Sequence, residues 1–149
     1  MRFLFVDKIF ELEPGKRIKA GKRLAASEEL FRDHLPGFPV VPAVLLTEMM
    51  GQAAKNCLDS ETTRSGYAML TRIASANFRT WVKPDEEVVI HAEITQNRPD
   101  YATANCFLEV AGKKVCSAEL FFVFIPKEHF APGYRSEVLE AYWQAHAGQ

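Results

Sequence analysis

The sequence holds few of the residues that build disulfide frameworks or metal centres: three cysteines, Cys57, Cys106 and Cys116, and four histidines, His34, His91, His129 and His146, among 149 residues. No CxxC, HxH or HExxH spacing occurs, and an odd cysteine count does not make a paired framework. The cysteines fall at apolar positions of periodic segments, where a thiol behaves as a small hydrophobe. No protein-bound metal is expected, and nothing calls for a cofactor. An excess of one charge is missing as well: the formal net charge is -1, which leaves neither a basic footprint for nucleic acid nor an acidic tail. Long apolar runs are also lacking near the start, where Phe3-Leu4-Phe5-Val6 meets Asp7 after four residues. That run is too short for a signal-peptide core or a membrane span, so a cytoplasmic chain with no membrane partner is expected.

What the sequence has is apolar bulk, 48% hydrophobic residues with 11 phenylalanines, which suffices for one core and one principal domain. Phe3 to Leu12 mixes apolar and charged residues and reads as an N-terminal segment. Glu13-Pro14-Gly15-Lys16 then marks a turn before a first strand at about Arg17 to Leu24. Ser27-Glu28-Glu29-Leu30-Phe31 suggests a short helical turn with a serine cap. From His34 to Pro42, three prolines exclude a regular helix or a central strand.

After Pro42 the pattern changes. Ala43, Val44, Leu45, Leu46, Met49, Met50, Ala53, Ala54, Cys57 and Leu58 describe a helix buried nearly all round, with Pro42 suited to its first turn. A polar loop, Asp59 to Gly66, ends it. Tyr67 to Val82 supplies a strand, Val88 to Thr95 and Thr103 to Val110 alternate with period two, and Cys116 to Phe124 repeats that period. Phe121, Val123 and Ile125 make the far end of this last run apolar on both faces. One apolar helix followed by long antiparallel strands gives an α+β class, a curved antiparallel sheet wrapped around a central hydrophobic helix. A second copy of the chain is the simplest cover for the helix's remaining side, so a homodimer is expected. Residues 1–126 form this domain, and 127–149 a C-terminal extension in which Glu137 to Ala145, capped by Ser136, makes a short amphipathic helix.

Two polar residues stand out on the apolar helix. Glu48 lies two turns inside it and Gln52 one turn further along the same face. A carboxyl group there must be solvated by a cleft, paired or protonated, since burying it bare costs several kcal/mol. Taken singly, His34 is equally accounted for by a structural role in its loop, Glu48 by an ion pair at the core edge, and Gln52 by hydrogen-bonding support.

Taken together, the run HLPGFPVVPAVLLTEMMGQA resembles the HFPGxPxxPGVLxxEAMAQ signature of the FabZ-type 3-hydroxyacyl-acyl-carrier-protein dehydratases, with fourteen positions from His34 to Glu48. FLFVDKIFELEPGKRI resembles the family's opening, IASANFRTWVKPDEEVVIHAEI its strand-turn-strand, and VCSAELFFVF its last strand. The resemblance implies a hot-dog fold working as a homodimer, or as a trimer of dimers, with sites at the subunit interface. His34 of one chain would act beside Glu48 of its partner as a general acid/base pair, with no cofactor. Backbone amides at Ala43 and Gly37 would receive the thioester oxygen, Gln52 would support Glu48, and Met49, Met50, Tyr67, Phe78 and Phe121 would wall an acyl tunnel. The substrate would be a thioester of acyl carrier protein or coenzyme A, with Arg72, Arg79, Lys83 and Arg98 as docking charges for an acidic carrier. Asp33, Leu35, Ala43 and Arg72 depart from the family's Gly, Phe, Gly and Gly. Two other readings of the same pocket are a hot-dog acyl thioesterase and a non-catalytic acyl-binding subunit.

Overall fold

Residues 1–148 are described by the computed structural model. Reversals fall where the turn chemistry lies. Gly15, at φ 70°, closes the hairpin between β1 (Lys8–Glu13) and β2 (Arg17–Lys22). Ala111 and Gly112, at φ 51° and 79°, close the one between β5 (Tyr101–Val110) and β6 (Lys113–Pro126), since consecutive positive φ values match the strands' twist. With β3 (Gly66–Phe78) and β4 (Val88–Asn97), these strands form one antiparallel sheet in the order β1-β2-β4-β5-β6-β3. Gly66 opens β3 so close to its neighbour that a Cβ there would stand 2.7 Å from the Ile125 carbonyl oxygen.

Helix α1 (Leu30–Asp33) is one turn, and α2 (Ala43–Asp59) crosses the inner face of the sheet. Small residues make room for it: Ala92, Cys106 and Ala118 lie side by side across β4, β5 and β6. Against them α2 presents Met49, Met50, Ala53, Ala54, Cys57 and Leu58, all fully buried. Each of the larger side chains contributes about 1.5–3 kcal/mol by leaving water. Helix α3 (Glu137–Ala145) takes Ser136 as N-cap and buries Leu139.

Three expectations change. The N-terminal segment contains a strand, β1, hidden from the period-two pattern because a register shift between Ile9 and Glu11 breaks the alternation. The serine expected to cap α1 does not do so: Glu29 holds that position without a side-chain bond. Within one chain α2 is not enclosed all round, for Val44 in its first turn is 75% exposed.

Candidate active site

The loop that carries His34 is built by its own residues. Helix α1 ends at His34, whose amide donates to the Leu30 carbonyl at 2.9 Å. Leu35-Pro36-Gly37-Phe38 then forms a tight turn closed by the Phe38 amide on the Leu35 carbonyl at 2.8 Å. Proline fits its second position, and the third needs the φ of 79° that Gly37 adopts. The Val41 amide on the Val82 carbonyl, 2.8 Å, ties the loop down ahead of β4. Half-buried His34 lies with Nδ1 3.2 Å from the Val40 carbonyl oxygen. A carbonyl only accepts, so Nδ1 is the donor in this contact, and in the neutral imidazole Nε2 is then the acceptor nitrogen.

Glu48 is half-buried on α2. One carboxylate oxygen accepts from Gln52 Nε2 at 2.9 Å. The same amide reaches the Phe3 carbonyl at 3.3 Å, while Gln52 Oε1 accepts from the Phe5 amide at 2.8 Å. Gln52 thus binds the N-terminal segment to the helix and fixes Glu48 in the process. Both residues face an open cavity of about 800 Å³, whose lining combines Phe3, Leu4 and Val138 with the charged side chains of Arg2, Lys22, Lys55 and Glu137. His34 is not among the residues that line it.

The other sequence-derived residues are dispersed. Ala43 is the exposed first residue of α2, where first-turn amides lack intrahelical acceptors and the helix dipole favours negative charge. Gly37 sits at the loop turn already described. Met49 and Met50 are enclosed in the core, and Phe78 is 39% exposed at the end of β3. Tyr67 joins an aromatic cluster, its ring centroid 4.9 Å from Phe130 and 5.0 Å from Tyr134. Phe121 does not fit a wall beside α2. Strand alternation turns it to the outer face, opposite the buried Phe122, and there it stacks on Tyr101 with Arg72 over its ring. Arg72, Arg79, Lys83 and Arg98 are all exposed.

The sequence reading missed the anchors around this cavity. Lys55 Nζ lies 2.7 Å from Asp59, and the two carry the backbone of Ala68: Lys55 donates to its carbonyl and Asp59 accepts from its amide, each at 2.8 Å. Burial pushes the Asp59 carboxyl above its ordinary range, against the pull of the Lys55 charge. Ser136 Oγ donates to Asn56 Oδ1 at 2.7 Å. On the exposed side, the hydrogen bond and charge of Arg2 hold Glu137 below the usual carboxylate range. The i,i+4 spacing of Lys55 and Asp59 was a usable signal; nothing local linked Ser136 to Asn56, eighty positions away. Among the described residues, no group of three or more His, Cys, Asp or Glu is placed to hold a metal ion, and no helix is long and apolar enough to cross a membrane.

The FabA-like domain family matches residues 1–119. The 3-hydroxyacyl-[acyl-carrier-protein] dehydratase FabZ of Pediococcus pentosaceus is 41% identical over 121 residues, 80% of this chain and 81% of that protein. The chain belongs to the FabZ-type dehydratase family. Another family member, FabZ of Listeria monocytogenes, is 34% identical over 84% of this chain and 89% of its own length. In three dimensions the chain resembles the dehydratase heterocomplex from Xenorhabdus doucetiae, with a TM-score of 0.68 at 11% identity, covering 85% of this chain and 86% of that one. A Streptococcus mutans protein bound to acetyl CoA gives 0.65 at 9% identity, over 85% and 93%. At such identities the likeness concerns the fold, and the FabZ-type chain has the α+β hot-dog architecture.

Proposed function

We propose that this chain dehydrates 3-hydroxyacyl thioesters to trans-2-enoyl thioesters, with His34 of one protomer and Glu48 of its partner as the acid/base pair. The supporting observation is the pairing of family membership with the two side chains' settings. His34 offers Nε2 as its acceptor nitrogen, and Glu48 is held by Gln52 at the edge of a cavity. In the reaction, Nε2 takes the C2 proton, made acidic by the thioester. The electron pair moves toward the thioester oxygen, which the amide of Ala43 at the α2 N-terminus stabilises, with Gly37 shaping the adjoining loop. Return of that pair forms the C2–C3 double bond and breaks the C3–O bond. Glu48, as the carboxylic acid, gives its proton to the departing hydroxyl. The substrate is carried on acyl carrier protein, as the names of the relatives suggest, or on coenzyme A, whose acetyl thioester is bound by the Streptococcus mutans neighbour.

The homodimer rests on the edge of the sheet. Strand β3 is unpaired along one side and bears Met69, Ile73 and Phe78 at 44%, 49% and 39% exposure. A long apolar edge is a template for pairing, and a second β3 alongside it would bring the partner's loop toward the uncovered start of α2.

Hydration of a trans-2-enoyl thioester, followed by loss of enoyl absorbance, tests the chemistry. His34→Ala and Glu48→Ala are each expected to lose about 10²–10⁴ in kcat with folding intact. Release of free thiol by the unaltered chain, or no reaction, overturns the reading in favour of a thioesterase or a binding subunit respectively.

A further inference from the structure

The N-terminal strap, residues 3–7, reaches Glu48 through one side-chain amide. Phe5 is fully buried and meets the Phe3 ring edge-on at 4.8 Å. The Asp7 amide donates to the Gly21 carbonyl at 2.8 Å, and the Asp7 carboxylate accepts from Lys22 Nζ and from the Arg23 amide, each at 2.9 Å. A buried ring and these bonds fix the strap's course. It offers Gln52 one group of each kind: the Phe5 amide, which only donates, and the Phe3 carbonyl, which only accepts. With Oε1 on the first at 2.8 Å and Nε2 on the second at 3.3 Å, the Gln52 side chain has a single orientation. That orientation directs Nε2 onto Glu48 Oε1 at 2.9 Å. Turned over, the amide would set its nitrogen against a donor and its oxygen against an acceptor.

Resting on the dehydratase reading, we propose that this strap is a positioning element of the reaction: acting through Gln52, it settles which oxygen of Glu48 carries the proton. Oε1 is engaged as an acceptor, so the carboxylic acid holds its proton on Oε2, from which it passes to the departing C3 hydroxyl. In the hydration direction the same oxygen takes the proton from the attacking water. An amide free to turn over would draw that proton into a bond with its own oxygen, a form in which Glu48 is held but does not act as the acid. Neither backbone group of the strap acts on the substrate; both act by holding Gln52.

The test is hydration of the crotonyl thioester of N-acetylcysteamine, with kcat and KM separated. Phe3→Gly loosens the strap at an exposed position, and Phe5→Ala removes its buried ring. Each is expected to lower kcat about tenfold and to leave KM within about twofold of the wild type, since a misplaced catalytic group costs rate and not uniform binding. Gln52→Leu, which bonds neither the strap nor Glu48, is expected to lose at least as much kcat. Phe3→Gly added to it is expected to lose nothing further, because the two changes break one chain of contacts. Losses that multiply in the double variant overturn the proposal, as does an undiminished kcat in Phe3→Gly or a change confined to KM. Should Phe5→Ala fail to fold, Phe3→Gly and the double variant decide alone. Absence of hydration by the unaltered chain is a separate result, which overturns the dehydratase reading itself.

Discussion

Gln52 satisfies three partners with one amide: the Glu48 carboxylate, the Phe3 carbonyl and the Phe5 amide. Its spacing from Glu48 made the first contact legible in sequence, because residues four apart share a helix face. The other two were not legible, since they depend on where the N-terminal segment lies. The cysteines follow the same division, for their apolar periodicity foretold burial but not its electrostatic consequence. Burial pushes the thiols of Cys57 and Cys106 up to about 12 and that of Cys116 to about 11. Each thiol thus holds its proton more tightly in the folded chain than in the unfolded one. Its contribution to stability is whole below the ordinary value of 9.0 and is lost as pH rises toward the folded value. Urea midpoints are therefore expected to fall between pH 8 and pH 10.5, and Cys106→Ala to flatten that fall. An equally steep loss in the variant would remove the thiol as its source.

Among the elements, β4, β5 and β6 announced themselves through a period of two and α2 through its nearly unbroken apolar surface, while β1 did not. The bulge between Ile9 and Glu11 puts two neighbouring side chains out of phase, and no pattern of alternating burial survives in six residues. For α3 the decisive residue is Ser136, whose hydroxyl accepts from the Leu139 amide at 3.4 Å and donates to Asn56. Ser136→Ala removes both the cap and the tie to α2, and is expected to cost about 1–2 kcal/mol in urea denaturation. A change smaller than a few tenths of a kcal/mol would mean that Leu139 alone secures the helix.

For the whole molecule, sequence pattern reached the sheet and its central helix, but the division of the site between two copies came only with the family resemblance. Neither His34 nor Glu48 carries a signal of which chain the other belongs to. If the pair is shared, mixing inactive His34→Ala and Glu48→Ala chains builds mixed dimers with one doubly impaired site and one intact site. Random pairing is then expected to restore about a quarter of wild-type turnover. Mixtures that stay inactive after subunit exchange would place both residues of each site in one chain.

The strand order has a consequence for biosynthesis. Strand β3 follows directly on α2, yet among the described residues its only strand partner is β6, and Gly66 pairs with Pro126. While the chain is being made, the apolar helix and the strand after it emerge long before the segment that seats them. The N-terminal hairpin can form early, but β3 waits until β6 has left the ribosome, since pairing so distant in sequence bears a loop-closure entropy that only the last strand can offset. Until then the nascent chain presents an apolar helix and an open strand edge, the two kinds of surface through which incomplete chains associate with one another.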